Sequence, residues 1–287
     1  MTGHREDRVL KAATGLEGGV VATGSTCGVV TAGAIGLALI HSNRLETGEA
    51  AEAAGVLDLA GQYVRWFDEK YGSSLCRKRT GVDFHSPGGM IRYFLPGHRV
   101  LRCLWHIRGA MRRLYDLHRL QLTEVKVKSE ESRGDPVHCA QAVLEIIRKR
   151  TGIGDPLLER LSLVMDGGVG LTGGVCGALA GAVMGLNLTT GIDVRKAGFF
   201  GAIQAFTIGH INILRDRPPH RPETFTLGKQ VVNQFMDVAG AMECRTLTGR
   251  TFTDWDDFQR HMASSQKCEK LITQAAEAAC LAIEKGN

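Results

Sequence analysis

The sequence predicts an all-α protein made of two diverged copies of one helical-bundle unit, packed against each other as an intramolecular pseudo-dimer. Three observations predict this class. Apolar residues recur at helical spacing over 50–71, 99–120 and 268–283, no segment shows the alternating pattern of a strand, and two stretches of the chain repeat. The 287 residues are 44% hydrophobic and 23% charged, which suits two globular units with packed cores.

The first repeated stretch is rich in glycine and carries a cysteine. Residues 16–36 align without a gap with residues 165–185, which places Cys27 opposite Cys176. Each stretch has an acidic residue before a glycine pair, a glycine three residues before the cysteine, and another directly after it. This pattern predicts a glycine-rich turn that leads into a helix. The cysteine then lies at the helix start, where unpaired N–H groups favour the thiolate over the thiol.

The second repeated stretch places Cys76 opposite Cys244, through the alignment of residues 67–81 with residues 235–249. The offset grows from 149 (27 to 176) to 168 (76 to 244), so copy two has 19 additional residues between the two stretches. We expect them in a loop over 215–222, because its prolines prevent a helix. A third cysteine follows in each copy, Cys103 in copy one and Cys268 in copy two.

Copy two also has a leading helix that copy one lacks. Asp135 followed by Pro136 has the pattern of an N-cap and a first helical residue, which places Cys139 in the first turn. The charged and polar stretch that precedes this helix is the natural boundary between the two copies. The predicted units are residues 1–125 and 136–287, joined by a linker at 126–135.

Composition narrows the classes of function. Eight cysteines, in a chain whose first residues lack the pattern of a secretory signal, favour metal ligands or redox thiols and a cytoplasmic location. The net charge of +5 is spread along the chain, so nucleic-acid binding is not predicted. The uncharged stretch 18–40 could span a bilayer by length, but its threonines and glycines favour a buried helix and no membrane span.

Not every candidate residue has equal support. Cys280 has no counterpart in copy one and is expected to be an inert core thiol. His106 lies three residues after Cys103, and His138 lies next to Cys139. Either histidine could act as a metal ligand or as a proton donor. Single histidines on helices are, however, more often surface or capping residues.

The cysteine order in copy two resembles the C-GCAxxG-C-C family of redox-active proteins. The residues that carry the resemblance are Cys139, Cys176-Gly177-Ala178-Leu179-Ala180-Gly181, Cys244 and Cys268. Copy one, with Cys27, Cys76 and Cys103, resembles a degenerate member that lacks the first cysteine. The resemblance implies a helical domain, a redox role and an anaerobic electron-transfer setting. A similar domain in split-Soret cytochromes is associated with an iron–sulfur centre, so by analogy the four cysteines of copy two would hold a cluster.

Three functions remain open from the sequence. We expect an electron-transfer protein with an iron–sulfur cluster, whose type the sequence does not give. A cofactor-free thiol–disulfide protein and an accessory protein for a soft metal such as zinc or copper(I) are the alternatives. The glycines expected to let the backbone approach the cofactor are Gly167, Gly168, Gly173 and Gly177.

Copy one could provide a three-cysteine site, a shared ligand or only a scaffold. A redox partner protein is expected, a homo-oligomer is compatible with the sequence, and neither a substrate nor an enzymatic activity is indicated.

Overall fold

The computed structural model describes residues 6–119, 136–214 and 224–286. Within these ranges the chain is helical and has no β-strand, which confirms the predicted all-α class. The helices of copy one are α1 (Asp7–Ala13), α2 (Gly28–Ile40), α3 (Ser42–Leu45), α4 (Ala50–Tyr71), α5 (Cys76–Thr80), α6 (Pro87–Phe94) and α7 (His98–Leu117). Those of copy two are α8 (Cys139–Thr151), α9 (Pro156–Leu161), α10 (Gly177–Thr190), α11 (Val194–Ile213), α12 (Thr224–Ala239), α13 (Cys244–Thr248), α14 (Trp255–Ser264) and α15 (Gln266–Gly286).

The apolar helix that follows the first repeated cysteine is the centre of each copy. In copy two, α10 is buried continuously from Gly177 to Leu188, because α8, α12 and α15 cover it. A helix that is apolar on all faces is stable only when it is enclosed in this way. In copy one, α2 packs against α4 and α7, none of the described helices takes the place of α8, and Ala32 on α2 is exposed.

The two copies exchange contacts reciprocally, as the two halves of a pseudo-two-fold dimer do. The 3-10 turn of copy one, Thr14–Leu16, packs on α10 of copy two. The equivalent turn of copy two, Ser162–Met165, packs on α2 of copy one. At the junction the backbones touch, because a Cβ on Gly61 would lie 2.6 Å from the carbonyl oxygen of Gly170. The predicted pseudo-dimer is confirmed.

Two details differ from the sequence-based expectation. Helix α8 begins at Cys139 and not at Pro136, because the Oδ1 atom of Asp166 accepts the backbone N–H of Cys139 at 2.9 Å and caps the helix there. Part of the additional length of copy two is the long helix α11, which stands where copy one has the four-residue α3. The predicted linker at 126–135 and the predicted loop at 215–222 lie outside the described residues.

None of the described helices combines the length and the apolar character that crossing a membrane requires.

Candidate functional site

A left-handed turn precedes the cysteine in each copy. The five consecutive residues 18–22, and likewise 167–171, have φ between +52° and +84°. This conformation costs about 1–2 kcal/mol for each non-glycine residue, so the repeated glycine pair reduces the strain. The pair is followed by strained residues in both copies, among them Val20 and Val169. Retained backbone strain of this kind is typical of functional sites.

Three of the four predicted cofactor glycines shape this turn and contact protein. A Cβ on Gly168 would lie 2.5 Å from the backbone nitrogen of Gly174, and one on Gly173 would lie 2.7 Å from the Cβ of Arg245. A Cβ on Gly167 would meet the side chain of its own turn at 2.7 Å. Gly177, in contrast, lines the cavity between the cysteines.

Short backbone pairings then bring two cysteines of each copy together. Cys176 donates its N–H to the carbonyl oxygen of Met242 at 2.7 Å, and Cys244 donates to that of Gly174 at 2.6 Å. The same pairing recurs in copy one, where Cys27 and Cys76 donate to the carbonyl oxygens of Ser74 and Ser25, both at 2.8 Å. These bonds anchor the starts of α10 and α13, and of α2 and α5, to each other.

Four of the five cysteines of copy two line one cavity, which we call the four-cysteine cavity. It encloses about 20 Å³, roughly the space of one water molecule. Its lining cysteines are Cys139, Cys176, Cys244 and Cys268, and its other walls are mainly apolar, including Leu247, Phe252, Phe258, Met262, Leu271 and Ile272. No disulfide joins the described cysteines.

Burial keeps the buried thiols of this cavity neutral. It raises the pKa of Cys139 well above its ordinary value, and it also raises that of Cys244. Burial raises the pKa of Cys176 to about 11, although the backbone N–H groups of Ala178 and Leu179 hydrogen-bond its sulfur and oppose the shift. The N–H groups at the helix start therefore favour the thiolate, as expected, but desolvation outweighs them and the thiol stays neutral in the protein chain alone.

Asp166, the acidic residue of the repeat, orders the start of α8. Its carboxylate is fully buried and lies 2.7 Å from the Nδ1 atom of His138, besides capping Cys139. Burial raises the pKa of Asp166, and His138 opposes the shift. His138, a candidate from the sequence, thus contacts the capping carboxylate. The recurrence of an acidic residue before each glycine pair was the available sequence signal for Asp166.

Sequence reasoning missed two residues of α14 that reach the four-cysteine cavity. The Nε2 atom of His261 lies 3.5 Å from the sulfur of Cys268, and the sulfur of Met262 lies 3.8 Å from that of Cys139. Cys268 is only half-buried, so this side of the cavity is nearest to solvent. Neither residue belongs to a repeated stretch, and only the packing of α14 against the cavity identifies them.

The three cysteines of copy one also lie at a common cavity, the copy-one cavity, which has a volume of about 500 Å³. Beside these cysteines, the second repeat places Arg79 opposite the apolar Leu247 of copy two. The Nη1 atom of Arg79 donates to the sulfur of Cys27 at 2.9 Å, and its guanidinium also contacts Nδ1 of His106. Burial raises the pKa of Cys27, and Arg79 opposes the shift. The lining cysteines are Cys27, Cys76 and Cys103.

The eighth cysteine, Cys280, lies apart from the other seven. Cys280 is fully buried on α15 and lines neither cavity. Over residues 6–119, 136–214 and 224–286, no three or more histidine, cysteine, aspartate or glutamate side chains are grouped so that they could hold a metal ion.

Comparison with curated proteins and with solved structures finds no match. A protein-family model described as "Putative redox-active protein (C_GCAxxG_C_C)" matches residues 1–114 and again residues 137–280. The two matches cover most of the chain and correspond to the two copies. The chain therefore belongs to the C-GCAxxG-C-C family of redox-active proteins, in tandem duplication, and has a general redox role.

Proposed function

We propose that this protein transfers electrons through an iron–sulfur cluster bound by Cys139, Cys176, Cys244 and Cys268. One observation carries the proposal: thiols from four separate helical elements surround a single enclosed cavity with largely apolar walls. These cysteines are far apart in the sequence, so the packing of the helices, and not a short binding loop, brings them to the cavity. The redox role of the family supports the same reading.

The chemistry of the donor set fits such a cluster, although the described side chains are not grouped so that they could hold a metal ion as they stand. Four cysteine sulfurs are the usual ligands, and N–H groups directed at a sulfur, as those of Ala178 and Leu179 are directed at Cys176, tune the reduction potential. An iron–sulfur cluster supplies one-electron transfer when it is bound. Among the described residues that line the four-cysteine cavity there is no lysine or arginine. Coordination to metal is thus the chemistry that would make buried thiolates stable here.

The protein's own residues determine how such a centre would be held and reached. Asp166 fixes the first turn of α8 and hence the position of Cys139. Cys268 is the least buried of the four cysteines, so a redox partner would approach the side that carries Cys268 and His261.

A second candidate is favoured by the size of the cavity. A space of about 20 Å³ is too small for a cluster core, so the lining of the cavity would have to rearrange to admit one. Buried, neutral thiols in so small a cavity are also compatible with a thiol–disulfide protein that binds no metal. Two thiols would then give up two protons and two electrons to an oxidised partner protein and form one disulfide bond.

Anaerobic purification of the full chain tests the two candidates together. A cluster predicts iron and acid-labile sulfide in the sample, a visible charge-transfer absorbance, and loss of all three in Cys176→Ser. A dithiol protein predicts a colourless sample without iron, in which oxidation removes a pair of thiols reversibly. A sample with neither property contradicts both proposals, and zinc or copper(I) alone would indicate the soft-metal alternative.

A further inference from the structure

The exposed face of α7 in copy one is apolar near the start of the helix and basic further along. Leu101, Leu104 and Trp105 have 67%, 55% and 66% of their surface in contact with solvent. Arg108 and Arg112 are exposed as well, and they lie on the same face, because residues three and four positions apart are neighbours on a helix. We call these five residues the α7 stripe.

The equivalent stripe of copy two is polar. When Cys103 is aligned with Cys268, the α7 stripe lies opposite five exposed residues of α15, which are Gln266, Glu269, Lys270, Thr273 and Glu277. The fold thus leaves this face in solvent in both copies, and the apolar side chains of the α7 stripe do not belong to the core of copy one. Large exposed apolar side chains that cluster in this way mark a surface that contacts a partner.

Helix α6 enlarges this apolar surface. It packs against α7, and Ile91, Phe94 and Leu95 at its C-terminal end are exposed. The side chains of Leu95, Leu101 and Trp105 protrude, since about two thirds of each is exposed. A protein partner would need a separate pocket for each protruding side chain, whereas the lipids at a membrane surface rearrange around them.

The charges of α6 and α7 are almost all positive. Residues 87–119 contain seven arginines and one carboxylate, that of Asp116. Neither Arg108 nor Arg112 forms an ion pair with a carboxylate of the described residues. An anionic surface would therefore supply the counter-charges that the described part of the chain does not.

A basic cleft of about 280 Å³ lies beside the α7 stripe, between α4 and α7. Its charged lining consists of four cations and one carboxylate, which are Lys70, Arg108, Arg112, Arg113 and Asp116. The Nε atom of Arg113 is buried and has no hydrogen-bond partner among the described residues. An anionic oxygen that reached this atom would accept its hydrogen bond. The volume is near the lower end of the range of small-molecule sites, which suits a single lipid headgroup.

We propose that copy one binds the surface of an anionic phospholipid membrane through α6 and α7. Leu101, Leu104 and Trp105 enter the boundary between headgroups and acyl chains, while Arg108 and Arg112 contact lipid phosphates, one phosphate lying in the basic cleft. This is peripheral binding and requires no membrane-crossing helix. The inference is independent of the cluster proposed above, because it uses no residue of the four-cysteine cavity.

Co-sedimentation of the full chain with lipid vesicles tests the proposal. Vesicles of equimolar phosphatidylglycerol and phosphatidylcholine are compared with vesicles of phosphatidylcholine alone. We expect binding to the anionic vesicles at low ionic strength, about tenfold weaker binding to the neutral ones, and a loss of affinity as salt is added. No binding to either, or equal binding to both, would overturn the proposal. Binding to polyglutamate but not to vesicles would assign this face to an acidic protein and would refute it equally.

Arginine variants test whether the charge of α7 itself is used. Arg112→Gln should weaken binding to the anionic vesicles about fivefold, which is the usual contribution of one basic residue near such a surface. Arg150→Gln is the matched control, since it removes an exposed arginine from α8 of copy two and should leave binding unchanged. Equal effects of the two variants would show that only net charge matters and would refute the assignment to α7.

The double variant Leu104→Glu/Trp105→Lys tests the apolar contribution without a change in net charge. It introduces the residue types that copy two has at the equivalent positions, so we expect unchanged stability in urea denaturation. Binding to the anionic vesicles should fall about a hundredfold, because two large apolar side chains no longer leave water. Leu281→Gln, at an exposed apolar position on α15, is the control and should bind as the wild type does. Unchanged binding of the double variant would refute the insertion.

Tryptophan emission identifies the side chain that enters the lipid. Vesicles should shift the emission of the wild-type chain to shorter wavelength, and Trp105→Phe should remove the shift while the protein still sediments. A shift that persists in Trp105→Phe would mean that Trp66 or Trp255 enters the lipid, contrary to the proposal. Cys176→Ser should bind vesicles as the wild type does, whether or not the wild-type chain holds iron, so a failure of either proposal is recognised separately.

Discussion

The guanidinium of Arg79 donates a hydrogen bond to the sulfur of Cys27 over 2.9 Å, at the place where copy two has the apolar side chain of Leu247. This difference places a cation beside the cysteines of one site only. The copy-one cysteines have a buried cation beside them, and the cysteines of the four-cysteine cavity have no lysine or arginine in the described lining. A negatively charged thiolate is therefore favoured by Arg79 at the first site, whereas at the second site no such cation offsets the cost of burying it.

The same guanidinium makes the stability of copy one sensitive to acid. Burial, together with Arg79 and Arg102, lowers the pKa of His106 to about 4. The fold therefore prefers neutral His106, and its contribution is fully present above the unfolded-state pKa of about 6.5 and is lost as the pH falls through about 4. We expect His106→Gln to lose less stability than the wild type between these pH values, measured by urea denaturation at each pH. Parallel curves for the two proteins would contradict this assignment.

Cysteine substitutions should differ according to position in the two cavities. Cys176→Ser keeps the shape but supplies a harder ligand, so we expect loss of the bound metal or of the reversible thiol oxidation. Cys280→Ser is the matched control, because Cys280 is buried but lines neither cavity. Metal analysis and thiol titration are the measurements. Full metal content and unaltered redox behaviour in Cys176→Ser would refute the central role of this cysteine.

The Cys27→Ser variant tests whether copy one has a redox site of its own. Because copy one has no counterpart of Cys139 and Arg79 already hydrogen-bonds the sulfur of Cys27, we expect this variant to keep the complete metal content and absorbance of the wild type. Loss of a second redox or spectroscopic signal would show instead that copy one holds its own centre.

The left-handed turn should tolerate no side chain at Gly168. Alanine there would combine a φ of +80° with a Cβ 2.5 Å from backbone, so we expect a loss of about 3 kcal/mol in the free energy of unfolding. Gly152 is the matched control, since its φ is +73° but a Cβ would meet nothing within 4 Å. Gly152→Ala should cost only about 1 kcal/mol. Chemical denaturation measures both, and equal losses would show that φ alone sets the requirement.

Removal of the Asp166 carboxylate should destabilise copy two strongly. Asp166→Ala leaves the N–H of Cys139 and the ring of His138 without their acceptor, for which we expect a loss of about 2–4 kcal/mol. Asp58→Ala removes an exposed partner of Arg65 and should cost about 0.5 kcal/mol. Thermal and urea denaturation of the two variants provide the comparison. A small effect of Asp166→Ala would mean that α8 is held in place by its packing alone.

The helices were predictable because their signals are local. The apolar spacing over 50–71 gives α4 at Ala50–Tyr71, and the spacing over 268–283 gives most of α15, at Gln266–Gly286. The glycine-rich approach to Cys176 likewise predicts a helix that starts immediately after the cysteine. The start of α8 was not predictable in the same way, because its cap is Asp166, a residue distant in sequence.

The sequence by itself determined the all-α class, the duplication and the cysteines that recur in both copies, because helical periodicity and repeated motifs are properties of neighbouring residues. Only the tertiary structure decided what surrounds those cysteines. Burial raises the pKa of Cys176 to about 11 despite its place before a helix, and the packing of α1, α2, α7 and α11 leaves a cavity of about 500 Å³ beside Cys27. Desolvation and cavity volume depend on which helices pack together, and that is set by contacts between residues far apart in the chain.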